Sequence, residues 1–106
     1  SNLNIVKDAI SIQKQLLITK LKNDETGDNF SFTTQSIQII PVLLVLHRNN
    51  YFIGGYHVTH KTVVFYSIRQ LSGVKITTHK CDPNEYKISV LKELSSRFGI
   101  TKNINS

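Results

Sequence analysis

The chain has 106 residues, 40% hydrophobic and 19% charged, which is the size and balance of one globular domain rather than a disordered tail. Its longest apolar run, Ile39 to Leu46, is far short of the roughly 20 residues a membrane-spanning helix needs, so no membrane partner is expected. Thirteen Lys and Arg against seven Asp and Glu give a net charge of +6, the sign that suits phosphate-bearing partners.

Residues 3–12 read as a short helix, with Leu3, Val6 and Ile10 at helical spacing and Asn2 or Asn4 available as the cap. From Gln13 the pattern changes to alternation, and Lys14, Leu16, Ile18 and Lys20 form one of its two sets. The polar stretch from Asn23 to Asn29 contains Gly27 and predicts a hairpin loop. Alternation resumes at Phe30 and runs to Ile40, where Pro41 is expected to divide the run into two strands. Val42 to His47 is the next strand, and Arg48-Asn49-Asn50 a tight turn, since Asn tolerates positive φ. Tyr51 to His57 follows, with a bend or bulge expected at Gly54-Gly55. Thr59-His60-Lys61 predicts a turn, Thr62 to Ile68 a strand, and Gly73 to Thr78 the last strand. Asp82-Pro83-Asn84-Glu85 then supplies a cap, a first-turn proline and an acid for a helix over 83–98. That helix turns Tyr86, Val90, Leu91, Leu94 and Phe98 inward and stops at Gly99. Such a chain predicts a mainly β, α+β fold: a single domain over 1–106 whose barrel of short strands spans about 13–79 between two helices. It has too few residues for a doubly wound parallel sheet.

The motif order across this chain resembles the WYL domain of bacterial transcription regulators. The residues that carry the resemblance are Ile40-Pro41-Val42-Leu43-Leu44-Val45, the turn Arg48-Asn49-Asn50, the triplet Tyr51-Phe52-Ile53 and Gly54-Gly55-Tyr56-His57. The segment Tyr66-Ser67-Ile68-Arg69-Gln70-Leu71 stands where the family has aromatic-Arg-aliphatic-Asp-Arg-Ile, and Phe98-Gly99-Ile100 matches the common ending. The resemblance covers about 90 residues. It implies a five-stranded Sm-like or SH3-like barrel that senses a nucleotide or a single-stranded nucleic acid and passes the event to a separate helix-turn-helix domain bound to DNA. No helix-turn-helix is present in these 106 residues. Ser1-Asn2 in place of a starting Met reads as a protease scar on a domain taken from a longer, cytoplasmic protein, and the lone Cys81 suits a reducing compartment.

For binding, the resemblance points to the aromatic and Arg positions of the barrel face. Arg69 is the leading charge contact, with Tyr51, Tyr56, His47 and Lys61 as further candidates and Ser67 and Gln70 at the positions of the family's two arginines. The chain departs from the family here, because its one remaining Arg is displaced by a residue. That departure motivates an alternative: a dimerisation or docking module whose ligand site has decayed. Direct binding of single-stranded nucleic acid by the barrel is a third reading.

Phe52 is expected in the core, while Tyr51 and Tyr56 carry hydroxyls that want water or a partner. His57, His60, His79 and Cys81 do not form a zinc-ligand spacing, so neither metal nor cofactor is expected. Cys81 precedes a helix cap, a place that can activate a thiol, though an inert cysteine is the simpler expectation. No nucleophile elbow, phosphate loop or metalloprotease motif occurs, and catalysis is not expected.

Overall fold

A computed structural model describes residues 1–26, 29–99 and 102–103, with side chains described outside 22–32 and 102–103. The chain runs α1 (Asn2–Ile12), β1 (Lys14–Thr26), β2 (Asn29–His47), β3 (Asn50–His57), β4 (Thr62–Ser67), a 3-10 turn (Ile68–Gln70) and β5 (Leu71–Lys80). A second 3-10 turn (Pro83–Glu85), α2 (Lys87–Phe98) and the two-residue β6 (Lys102–Asn103) complete it. No described helix is long and apolar enough to cross a membrane.

The five main strands form one antiparallel sheet in the order β4-β3-β2-β1-β5, and β6 pairs with β2. Sequence neighbours β4 and β5 therefore lie at opposite edges, yet only three residues of 3-10 turn join them. At about 2 Å of rise per residue that link spans roughly 6 Å, so the sheet must curl until its edges approach. A side-chain contact confirms the curl. Lys20 Nζ of β1 sits 5.3 Å from the centre of the Tyr66 ring on β4. Three strand spacings of about 4.8 Å would separate those strands in a flat sheet. The result is the small barrel-like α+β fold expected, with a helix at each end of the chain.

The curled sheet has a core on each side. The inner one gathers Leu16, Ile18, Ile37, Ile39, Leu44, Ile53 and Leu71, with Val6 and Ala9 of α1 fully buried among them. Each fully buried aliphatic side chain contributes roughly 1.5–3 kcal/mol, so α1 is held by packing far more than by its own eleven-residue propensity. Ser1, not Asn2 or Asn4, caps this helix by accepting from the Asn4 N–H at 3.4 Å. Asn2 is used elsewhere, its side-chain amide donating to the Leu71 carbonyl at 3.5 Å. The outer core lies on β2, β3 and β4, where Ile40, Val42, Leu43 and Val45 meet Val90 and Leu94 of α2.

Several sequence expectations need correction. Pro41 does not divide β2, which is continuous over 19 residues. The β1 ladder ends at Ile39, so Pro41 has only β3 beside it and its missing N–H costs no second ladder. The expected bulge exists, but it sits on β2: Pro41 pairs with Gly55 and Leu43 with Gly54, leaving Val42 extra. The loop expected over 23–29 is shorter, because the β1–β2 ladder continues to Thr26 opposite Asn29. Its Gly27-Asp28 lies outside the described residues. Asp82 caps the 3-10 turn rather than α2, accepting from the Asn84 N–H at 3.1 Å, and α2 begins only at Lys87. Leu91, expected to face inward, is 38% exposed. The turn at Arg48 and Asn49 is as expected, with φ of 49° and 64°, the left-handed pair that a two-residue hairpin needs. Gly99 ends α2 at φ 66°.

Candidate functional site

Strand direction separates the expected site residues into groups. β3 and β4 run antiparallel, with Phe52 opposite Ser67 at one end and His57 opposite Thr62 at the other. The first end holds the Arg48-Asn49 turn, Tyr51, Ser67 and the 3-10 turn with Arg69 and Gln70. Arg69 and Gln70 are exposed, Tyr51 and Ser67 half-buried, and among the described residues Arg69 makes no ion pair. Lys61 lies in the turn at the opposite end, exposed at φ 54°. Six residues of strand put it on the order of 20 Å from Arg69.

Tyr56 and His47 point away from this group. Both belong to the outer face, where the Tyr56 ring stacks on Tyr86 at 4.1 Å and the His47 ring packs edge-on against Phe98 at 5.0 Å. Phe52 also meets Phe98, at 5.0 Å, and is core as expected. The displaced Arg is thus served by the local backbone. Residues 68–70 leave strand geometry, so the rule that a one-residue shift reverses the face does not govern Arg69.

Three further residues at this end were not among the sequence candidates. Lys20 continues the inward set Leu16, Ile18, Lys20 and extends its ammonium over the Tyr66 ring. A lysine in the same alternation set as Leu16 and Ile18 was the available signal. Its backbone pairs with Leu71, directly after the 3-10 turn, so Lys20 and Arg69 flank the same opening. Burial raises the Tyr66 phenol above its ordinary value, so it stays neutral and offers an uncharged ring. Asn50, beside Tyr51, has a buried side-chain oxygen with no hydrogen-bond partner among the described residues. Such an acceptor costs roughly 1–3 kcal/mol when left unmet.

The opposite end carries a histidine pair. His57 is buried, its Nδ1 accepts from the His60 N–H at 3.0 Å, and the two rings lie 4.3 Å apart. Burial and then the neighbouring His60 hold the His57 imidazole below its ordinary 6.5. The unfolded chain therefore binds a proton that the fold refuses in the window from 6.5 down to the lowered folded value. Stability is full above that window, falls as pH drops through it, and levels off once folded His57 is protonated too. His57→Asn, whose side-chain oxygen can keep the acceptor role, is expected to show a smaller loss than wild type. Urea midpoints compared between pH 7.5 and 5.5 check this; equal losses would remove His57 as the cause.

Among the described residues no three His, Cys, Asp or Glu side chains come together to hold a metal ion. Burial, then the Asp82 carboxylate, push the Cys81 thiol up from its usual value, the reverse of an activated nucleophile. Its backbone N–H donates to the Gln13 carbonyl at 3.0 Å, and its side chain packs against the outer core. The 3-10 end thus brings together two cations, an uncharged ring and a half-buried Tyr. Compared with protein-family models and with curated proteins, the chain matches none.

Proposed function

We propose that the chain is the ligand-sensing domain of a WYL-type transcription regulator, binding a nucleotide or a single-stranded nucleic acid at the 3-10 end of the barrel. The observation that carries this reading is Lys20 over the Tyr66 ring, next to the 3-10 turn that bears the exposed Arg69. Phosphate oxygens suit the guanidinium fork of Arg69 and the point charge of Lys20, while Tyr51 supplies a plane for a base. A DNA-binding domain elsewhere in the parent protein would respond only if the ligand binds two states of that protein with different affinity.

Arg69→Ala tests the site directly. Loss of a charge-assisted contact is worth about 1.5–3 kcal/mol, so nucleotide or short oligonucleotide affinity should fall about tenfold or more. Titrating labelled single-stranded DNA, RNA and a nucleoside triphosphate into wild type and variant measures it. Unchanged affinity would remove Arg69 from the site, and no binding by wild type would remove the reading. A docking module is the second reading, favoured by Ile88, 71% exposed, and Leu91 one turn further along α2. A mass that rises with concentration, with no nucleotide binding, is its signature.

A further inference from the structure

We infer that the outer edge of β4 is a dimerisation surface, which pairs antiparallel with the β4 edge of a second copy of this chain. Availability is the first reason. β4 lies at one end of the sheet, with β3 on one side and, among the described residues, no strand on the other. The curl brings β5 near it at the 3-10 turn, but no ladder joins the two. Alternate N–H and C=O groups of an edge strand point away from the sheet and need a partner. Among the described residues none of those on β4 is hydrogen-bonded outside the β3 ladder. Thr62 is exposed and residues 63–67 are each partly exposed, so the edge can be reached.

Composition is the second reason. β4 reads Thr-Val-Val-Phe-Tyr-Ser, without charge, proline or glycine, and its ladder with β3 runs without a register shift. Edges that stay unpaired are commonly blunted by lysines, prolines or bulges. The other edge, β5, has such devices: Lys75 and Lys80, Gly73, and two register shifts against β1. That contrast selects β4 against β4 over β4 against β5.

The residue pattern fits a second copy as the occupant. Val63 and Phe65 belong to the outer face, Val64 and Tyr66 to the inner. An antiparallel pair sets residues of like face opposite each other, so the two-fold axis must pass through a residue position. Centred on Phe65, the pairing sets Val64 opposite Tyr66 twice and Phe65 opposite its counterpart. Centred on Val64, it sets Val63 opposite Phe65 and Thr62 opposite Tyr66, twice each. Aromatic against β-branched is a favourable cross-strand pair, and no charge opposes another within the strand. Either register also carries Lys61, just before β4, to residues 67–69 of the second copy, although Lys61 and Arg69 lie at opposite ends of β4 within one chain. On the ligand reading above, which this clause alone rests on, the second copy thus adds a cation to each 3-10 site.

Sedimentation equilibrium of the full chain without ligand tests the pairing separately from that reading. Six-residue edges make a small interface, so a monomer–dimer equilibrium with a Kd between about 10 µM and about 1 mM is expected. Successive residues of a strand point their N–H groups to opposite sides, so one of Val63→Pro and Val64→Pro leaves the β3 ladder whole. That variant, identified by native circular dichroism, should dimerise about tenfold more weakly or not at all. Lys61→Cys and Arg69→Cys chains, each also Cys81→Ser, give a second measurement that needs no proline. Mixed and treated with a short bis-maleimide they should cross-link. Each alone should not, because like positions lie about 20 Å or more apart across the two-fold. Ile88→Lys should leave the dimer unchanged. A chain that stays monomeric to about 1 mM would overturn the inference. So would dimerisation that the folded proline variant leaves unchanged, or equal cross-linking of mixed and unmixed chains. Growth beyond the dimer would overturn the two-fold pairing, and loss of the dimer in Ile88→Lys would overturn it in favour of α2.

Discussion

Gly55→Ala is expected to cost about 3 kcal/mol or more and to lower the melting temperature by roughly 12 °C or more. A Cβ at Gly55 would lie 2.4 Å from the Ile40 carbonyl oxygen. That oxygen is backbone within the β2–β3 ladder, beside the bulge, and cannot swing aside without breaking the pairing of Ile40 with Tyr56 and Pro41 with Gly55. Gly54 is the control. A Cβ there would meet Leu43 Cδ1 at 2.8 Å, Phe65 Cε1 at 2.9 Å and Val90 Cγ1 at 3.2 Å, all side-chain atoms that can repack. Gly54→Ala should therefore cost about 1–2 kcal/mol, the ordinary range for overpacking. Thermal melts of the two variants decide the matter: equal losses would mean that the close approach at Ile40 is not what fixes glycine at 55.

Phe98→Ala should detach the end of α2 at a cost of about 2–3 kcal/mol. Full burial of a Phe sets the range at roughly 3–5 kcal/mol, and Phe98 is only partly buried. Its ring is nonetheless the hub of the outer face, 5.0 Å from His47, 5.0 Å from Phe52 and 5.2 Å from Phe65. Arg97 adds its guanidinium 5.4 Å from the Phe65 ring and pairs with Glu93 at 3.4 Å, but both of those groups are half exposed and contribute little alone. Without Phe98 the helix keeps Val90 and Leu94. Amide exchange by residue should then show α2 opening before the barrel strands, whose inner core is untouched. Loss of protection throughout, α2 and barrel together, would show that the two cores are one cooperative unit.

Much of this arrangement is legible in the residues. Both helices, the left-handed turn at Arg48-Asn49 and the core role of Phe52 follow from periodicity and turn chemistry. What was not legible has physical causes. Proline removes a ladder donor wherever two ladders compete, but the sequence does not say that β1 stops at Ile39 and leaves Pro41 with one neighbour. The 3-10 turn at 68–70 reads as strand continuation, since Ile68 and Leu71 are β-compatible and nothing local marks a stop. For the site, Tyr51, Ser67, Arg69 and Gln70 share one end because β3 and β4 run antiparallel, which puts the start of β3 beside the end of β4. Tyr56 and Lys61 do not, since strand parity sends the first to the outer face and strand length carries the second to the far turn. Lys20 was visible as a charge in the alternation set of Leu16 and Ile18, but its partner Tyr66 is a tertiary fact created by the curl.

The extra residue Val42 works as a phase shift in the inside–outside code of β2. Before it, odd positions such as Ile37 and Ile39 face inward; after it, the even position Leu44 does, and Val42 and Leu43 both face outward. One strand thereby carries two reading frames, the first facing β1 and the end of β3, the second paired with β3 beyond the bulge. Each half can accept substitutions that keep its own alternation without regard to the other. The bulge is the punctuation between them, so removing that single residue would invert the frame for Leu43, Leu44 and Val45 at once and present each core with the side chains meant for the other.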